Sequence, residues 1–226
     1  MVRTFTIPKN NNGAFKLDLE RDLNEPQRSA VTCGDGPKLV IAGAGSGKTR
    51  TITYRVAYLL TKGVQPGQIL LATFTNKAAR EMLNRVELLT HGDASAIWGG
   101  TFHAIGNRLL RRFGPLVGLS PNYSILDEED SRALLKSCVG EAKIRVEEKR
   151  FPSPAILRDL TSMAFNTQRP LADVVEERTP HFSGWTEELA RVAARYEAKK
   201  RAANAMDYDD LLRFWLTLLE DHPETA

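Results

Sequence analysis

Eight consecutive residues constrain this chain more than any others. Ala42-Gly43-Ala44-Gly45-Ser46-Gly47-Lys48-Thr49 follows the apolar run Leu39-Val40-Ile41 and leads into a segment with helical spacing. Glycines tolerate dihedrals that a side chain forbids, so consecutive backbone N–H groups can converge on one point. The start of the next helix adds partial positive charge there. This is the pattern of a phosphate-binding loop, with Lys48 placed to reach β- and γ-phosphates and the Thr49 hydroxyl to ligate Mg²⁺. The usual first glycine of G-x-x-x-x-G-K-[ST] is Ala42 here, and alanine is small enough to keep the turn. A glycine-rich turn with a chance lysine is the bland alternative. A strand before and a helix after argue against it.

The surrounding pattern is β-α-β-α-β-α. Asn24 caps a short helix with Pro26 in its first turn. Leu39 to Ala42 reads as a short buried strand and Thr49 to Leu60 as a helix ended by Gly63 and Pro66. Gln68 to Phe74 reads as a second buried strand. Lys77 to Leu89 reads as a helix with Ala78, Met82, Val86 and Leu89 on one face. Ile97 to Phe102 is a third strand and His103 to Leu116 a third helix. Continuous apolar strands imply a parallel sheet covered on both faces. From about Tyr123 onward only helical segments are expected: Glu128 to Val139, Pro154 to Phe165, Glu187 to Ala203 and Asp209 to Glu220. The fold class is therefore α/β first and all-helical second.

The chain has 226 residues, which allows one large domain or two smaller ones. A net charge of +3 only weakly suggests a polyanionic partner. Cys33 and Cys138 lie far apart without metal-ligand spacing, as in a reduced cytosolic protein. Met1 to Arg21 lacks the apolar core of a signal peptide. No apolar run approaches the roughly 20 residues that span a bilayer. Asn10-Asn11-Asn12-Gly13 reads as a tail or flexible turn.

Each expected strand ends in groups suited to phosphates or bases. Gln27, in Leu23-Asn24-Glu25-Pro26-Gln27, carries an amide that can both donate to and accept from an adenine edge. Phe74-Thr75-Asn76-Lys77 closes the second strand, and ligands of open parallel sheets sit at the strand C-terminal ends. Phe74 there is a stacking platform for a base, and Thr75 and Asn76 sit with free helix-start N–H groups that bind phosphate. A core Phe74 followed by an Asn76 cap is the plainer reading of that stretch. Gly100-Thr101-Phe102-His103 closes the third strand in the same way, followed by Arg108, Arg111 and Arg112. One such edge is unremarkable by itself, but three in succession are harder to ascribe to chance.

Together these segments resemble the first four motifs of superfamily 1A DNA helicases of the UvrD/Rep/PcrA type, in order and in spacing. Tyr123-Ser124-Ile125-Leu126-Asp127 and Met206-Asp207-Tyr208-Asp209-Asp210-Leu211-Leu212 resemble segments of that family's helical 1B subdomain. The resemblance covers about Leu23 to Leu219. It implies a P-loop NTPase (RecA-like) parallel sheet with helices on both faces, followed by an all-helical subdomain. It also implies ATP and Mg²⁺ as cofactors. ATP would be held by Gln27, Ala42, Gly43, Ala44, Gly45, Ser46, Gly47, Lys48, Thr49 and Arg50, with Arg50 stacked on the adenine. Lys48 and Thr49 would be the catalytic pair, and Thr49 would meet the nucleotide's Mg²⁺. Phe74, Thr75, Asn76, Lys77, Thr101, Phe102 and His103 would line a path for single-stranded DNA. The implied activity is ATP-driven 3′-to-5′ movement on DNA in repair or replication. Single-stranded DNA and single-strand/duplex junctions would be the partners, other repair or replication proteins further ones, and a membrane none. The implied location is the bacterial cytoplasm, at the nucleoid.

Hydrolysis needs carboxylates for Mg²⁺ and for the attacking water. The family carries them in an apolar strand ending Asp-Glu-x-Gln-Asp, a sequence that this chain does not contain. Asp127-Glu128 and Asp207-Tyr208-Asp209-Asp210 imitate it, but Asp127 reads as a helix N-cap and the second group as acids in a first helical turn. The chain also carries no second RecA-like domain. The expectation is an N-terminal fragment that binds nucleotide and DNA weakly without turnover. The alternative is a non-catalytic nucleic-acid-binding or regulatory module derived from such a helicase, and an unrelated P-loop kinase or ATPase is a third reading. The expected domains are a flexible segment 1–22, a partial RecA-like domain 1A over 23–103 and a helical subdomain 1B over 104–226. Lys199-Lys200-Arg201 reads as a solvated basic patch, or else as a contact to duplex DNA.

Overall fold

The computed structural model describes residues 17–92, 94–142, 144 and 151–225. The expected tail around Asn10 to Gly13 lies outside them. The chain forms two compact units, one ending at Ile105 and the other beginning at Gly106.

In the first unit, α1 (Leu19–Asp22) is one turn capped by Asp18, inside the segment expected to be flexible. The next helix, α2 (Glu25–Thr32), begins with a reciprocal capping box. The Asn24 side chain accepts from the Gln27 amide N–H at 3.0 Å, and Gln27 Oε1 accepts from the Asn24 N–H at 3.2 Å. Helix α3 (Lys48–Thr61) starts directly out of the glycine loop. Strand β1 (Leu70–Thr73) and strand β2 (Trp98–Thr101) pair in parallel, with Leu71 opposite Gly99 and Thr73 opposite Thr101. Between them runs α4 (Asn76–Thr90), which buries Ala79, Met82, Val86 and Thr90. The stripe is offset by one residue at each end from the one the sequence suggested. A Cβ on Gly99 would lie 2.7 Å from Leu83 of α4, so that glycine sets how closely helix and sheet approach. The core beneath this pair comprises Val56, Ile69, Leu71, Met82, Val86, Ala94 and Ile97.

Leu39 to Ala42 is not a strand. Among the described residues it has no ladder partner, and Leu39 and Ile41 are 88% and 91% exposed. An apolar run becomes a strand only when another backbone satisfies its N–H and C=O groups. The fold is mixed α/β as expected, mostly helical with small parallel sheets. Among the described residues the first unit has two paired strands where three were expected.

Helix α5 (Phe102–Phe113) contains the point at which the units divide. The second unit contains β3 (Ser124–Ile125), α6 (Glu128–Glu141), α7 (Pro154–Asn166), α8 (Leu171–Arg178), α9 (Thr186–Ala202), β4 (Ala205–Met206) and α10 (Tyr208–Asp221). It is not all-helical, because β3 and β4 pair in parallel, Ser124 with Ala205 and Ile125 with Met206. Those bridges are too short to leave an apolar run in the sequence. One core joins Leu135, Leu157, Leu160, Val174, Leu189 and Val192, and another joins Leu110, Tyr123, Met206, Leu211 and Leu218. Among the described residues no helix is long and apolar enough to cross a membrane.

Candidate nucleotide-binding site

The loop from Ala42 to Gly47 turns through two left-handed residues, Gly45 at φ 75° and Gly47 at φ 82°. The Ser46 hydroxyl donates to the Gly43 carbonyl at 2.8 Å and closes the turn. Lys48 folds back on the same loop, donating to the carbonyls of Gly43 at 2.7 Å and Ala42 at 3.3 Å. A phosphate anion is a stronger partner for an ammonium than two neutral carbonyls. Lys48 therefore sits where an incoming phosphate can draw it across. Thr49 is the second residue of α3, at the positive end of the helix dipole.

Gln27 is brought to this loop by α2. Its Nε2 donates to the Ser46 carbonyl at 2.9 Å while its Oε1 accepts from the Asn24 N–H. One amide N–H and one Oε1 lone pair remain unused. That donor-and-acceptor pair complements adenine, which presents N6–H and N7, and mismatches guanine, which presents two acceptors at O6 and N7. A Cβ on Gly47 would fall 2.7 Å from Gln27 Nε2, so the glycine leaves room for the amide as well as making the turn. A cleft of ≈ 420 Å³ is bordered by Pro26, Gln27, Ile41, Gly43, Lys48 and Ile52. Its size and largely apolar wall suit a nucleoside.

Helix α3 holds the C-terminal end of α2 through Arg55 and the end of α1 through Tyr54. Arg55 donates to the carbonyls of Val31 at 2.8 Å and Cys33 at 2.6 Å. The Tyr54 hydroxyl donates to Asp22 Oδ2 at 3.0 Å. Hydrogen bonds from Arg21 and then Tyr54 hold the Asp22 carboxyl below its ordinary value, and burial pushes the Tyr54 phenol up. Arg50 lies over the Tyr54 ring, 5.5 Å from its centroid. Sequence reading missed Tyr54 and Asp22, though the four-residue step from Arg50 to Tyr54 was the available signal.

At the C-terminal ends of β1 and β2 the two aromatic rings come together. Phe74 and Phe102 have centroids 6.1 Å apart at 51°, and Phe74 is 91% exposed. The core-residue reading of Phe74 is thereby excluded. Thr75, not Asn76, caps α4, accepting from the Ala78 N–H at 3.1 Å. Thr101 likewise accepts from the Ala104 N–H at 3.1 Å. Asn76 and Lys77 are exposed on the first turn of α4, and His103 is half-buried on α5.

The carboxylates that imitate a magnesium pair are engaged within the second unit. Asp127 caps α6, accepting from the Asp130 N–H at 2.8 Å, and Glu128 pairs with Arg132 and with Arg158. Asp207 and Asp210 form the capping box of α10 and clasp Lys200, whose Nζ lies 2.7 Å from Asp207, 2.6 Å from Asp210 and 2.7 Å from Glu197. Lys200 is 2% exposed, so it belongs to no solvated patch and to no DNA contact. Lys199 reaches Ser137 and Glu141. Among the described residues no group of His, Cys, Asp and Glu is arranged to hold a metal ion.

Residues 23–226 match the family described as the UvrD/REP helicase N-terminal domain. The chain is 37% identical over 203 residues to the ATP-dependent DNA helicase PcrA of Staphylococcus aureus strain Mu50, covering 89% of this chain and 27% of that protein. It is 38% identical over 208 residues to the ATP-dependent DNA helicase PcrA of Staphylococcus epidermidis strain RP62A, covering 92% of this chain and 28% of that protein. The chain thus spans little more than a quarter of the length of these relatives.

Proposed function

Since the chain belongs to the UvrD/REP helicase family, we propose that it is the N-terminal, ATP- and single-stranded-DNA-binding part of an ATP-dependent 3′-to-5′ DNA helicase or translocase. Residues 23–103 are read as a partial RecA-like domain 1A and residues 104–226 as subdomain 1B. The observation that carries the proposal is the hydrogen bond from Gln27 to Ser46, which ties a base-reading amide to a phosphate loop.

In this reading the backbone N–H groups of residues 43–49 and the Lys48 ammonium hold the phosphates, Gln27 reads the adenine edge and Arg50 stacks on its face. Mg²⁺ held on the nucleotide by Thr49 would neutralise phosphate charge. The exposed rings of Phe74 and Phe102 receive bases by stacking, which tolerates any sequence. Asn76, Lys77 and the first turn of α4 take the backbone phosphates, with Thr75, Thr101 and His103 lining the same path. Single-strand/duplex junctions are the natural substrate, with action in repair or replication within the bacterial cytoplasm.

The acid pairs of this chain are engaged as caps and ion pairs, which supports binding without turnover by these 226 residues alone. The same observation favours a second reading, a non-catalytic nucleic-acid-binding or regulatory module of the same descent. Titration with fluorescent ATP and with a labelled oligonucleotide tests the proposal. Both should bind, and Lys48→Ala should abolish only the first. Absence of single-stranded DNA affinity together with phosphoryl transfer to an acceptor would point instead to a P-loop kinase. DNA-stimulated hydrolysis that Lys48→Ala abolishes would refute the claim of inactivity. An Asp-Glu-x-Gln-Asp segment encoded within a few tens of residues after Ala226 would exclude the regulatory module.

A further inference from the structure

Arg50 and Tyr54 stand four residues apart on α3 and so share one face of the helix. The Arg50 guanidinium carbon is 5.5 Å from the Tyr54 ring centroid, within the range of cation–π attraction. Tyr54 itself is fixed. It is 7% exposed, packs in a cluster with Leu23 and Val31, and donates its hydroxyl to Asp22. Asp22 is in turn held by Arg21 Nε at 3.1 Å. The ring is therefore clamped by packing on its body and by a hydrogen bond at its tip. Arg50, by contrast, is exposed. A long exposed side chain samples many rotamers, and a ligand that uses it must order it on binding. A cation already resting on a fixed ring has lost part of that freedom before the ligand arrives. The position is also the relevant one, because a Cβ built on Gly47 would lie 2.7 Å from Gln27 Nε2 and 3.9 Å from Arg50 Cβ. The base-reading amide and the root of the arginine flank a single glycine.

We infer that Tyr54 is a positioning residue for purine nucleotides: it holds the Arg50 guanidinium over its own ring, leaving the outer face of that cation to stack on the base, with Asp22 anchoring the ring. The inference rests on the reading of Arg50 as the base-stacking residue. Stacking does not distinguish one purine from another. Tyr54 therefore contributes affinity for ATP and GTP alike, while discrimination belongs to Gln27.

The test is a set of competition titrations of the 226-residue chain with ATP, GTP and inorganic tripolyphosphate, which has no base. Arg50→Ala and Tyr54→Leu should each weaken ATP and GTP by about two- to fivefold and leave tripolyphosphate unchanged. The double variant should bind no more weakly than Arg50→Ala alone, because the two act as one unit. Tyr54→Phe keeps the ring but loses its hydrogen bond to Asp22, so it should weaken ATP and GTP about as Asp22→Ala does and less than Tyr54→Leu. Asp22→Ala frees the ring without removing it and should act in the direction of Tyr54→Leu, which serves if Tyr54→Leu does not fold. If Arg50→Ala weakens ATP and neither Tyr54→Leu nor Asp22→Ala does, the role of Tyr54 is refuted while the nucleotide site stands. Equal loss of tripolyphosphate and ATP in Tyr54→Leu means a distorted loop and also refutes it. If the wild-type chain binds no ATP, or Arg50→Ala changes nothing, the underlying site assignment falls and this inference with it.

Discussion

The side-chain amide of Gln27 donates to the main-chain carbonyl of Ser46 at 2.9 Å, across nineteen residues of sequence. With its oxygen held by the Asn24 N–H, the amide has one donor and one acceptor left, facing the cleft beside the phosphate loop. Gln27→Glu replaces the donor with a second acceptor. The bond to Ser46 is lost and the adenine edge is half-unpaired. Both bases lose the donor to N7, so ATP affinity should fall about tenfold and GTP affinity at least as much in competition binding.

Gly47→Ala places a side chain at φ 82°, and its Cβ meets Gln27 Nε2 at 2.7 Å. The left-handed backbone costs about 1–2 kcal/mol, and the amide must move. The expected result is a lower unfolding midpoint together with loss of ATP/GTP discrimination, measured by thermal melting and competition titration.

Phe74 is 91% exposed at the end of β1, beside Phe102. Removing an exposed ring leaves no cavity, so Phe74→Ala should alter stability by no more than about 0.5 kcal/mol. Base stacking is worth about 1–3 kcal/mol, so single-stranded DNA affinity should drop at least roughly fivefold. Fluorescence anisotropy with an unstructured oligonucleotide measures the second effect and chemical denaturation the first.

Lys200 donates to Asp207 and Asp210 and pairs with Glu197 at 2.7 Å inside the second unit. Lys200→Met leaves buried carboxylates facing one another without their cation. Breaking one side of such a pair costs about 3–5 kcal/mol. Urea denaturation should show that loss, while DNA affinity should stay unchanged, unlike that of a variant in a DNA-contacting patch.

The same cluster sets an alkaline limit. Burial opposes the charge on Lys200, but the carboxylates of Asp207 and Asp210 outweigh it and raise the ammonium above its ordinary 10.5. Burial first, and Asp207 next, raise the Tyr196 phenol above its ordinary 10.0. Both folded-state values are raised, so both contributions are fully present below about pH 10 and are lost as pH rises through the folded values. Stability measured across pH 9–12 should fall from about pH 10 upward, and the fall should flatten in Tyr196→Phe.

Much of the site is visible in the residues themselves. The glycine loop, Lys48 and Thr49 announce themselves, and Asn24 and Asp127 cap helices from the positions their chemistry demands. Local hydrogen bonding needs no distant partner, which is why such features survive without tertiary information. The misreadings share the opposite property. Leu39 to Ala42 has strand composition but among the described residues no backbone beside it. Helix α8 is a short run after Pro170 with a weak periodic signal. The bridges of β3 with β4 join residues 81 positions apart, Ser124 with Ala205. Lys200 looks solvated inside Lys199-Lys200-Arg201, and only the turn that returns Asp207 and Asp210 over it makes it a buried cation.

By itself, the sequence determined that this chain carries a glycine-rich loop ending in Lys48-Thr49, a glutamine upstream of it and the aromatic residues Phe74 and Phe102 next to segments with strand patterning. Those are matters of residue type and spacing, and spacing is preserved when the chain is written as a line. Tertiary structure alone decided which distant groups meet: the Gln27 amide on the Ser46 carbonyl, Tyr54 on Asp22, Lys200 on Asp207. Each of these contacts depends on how packed helices and turns bring two groups within a few ångströms, and burial then fixes the strength of the interaction.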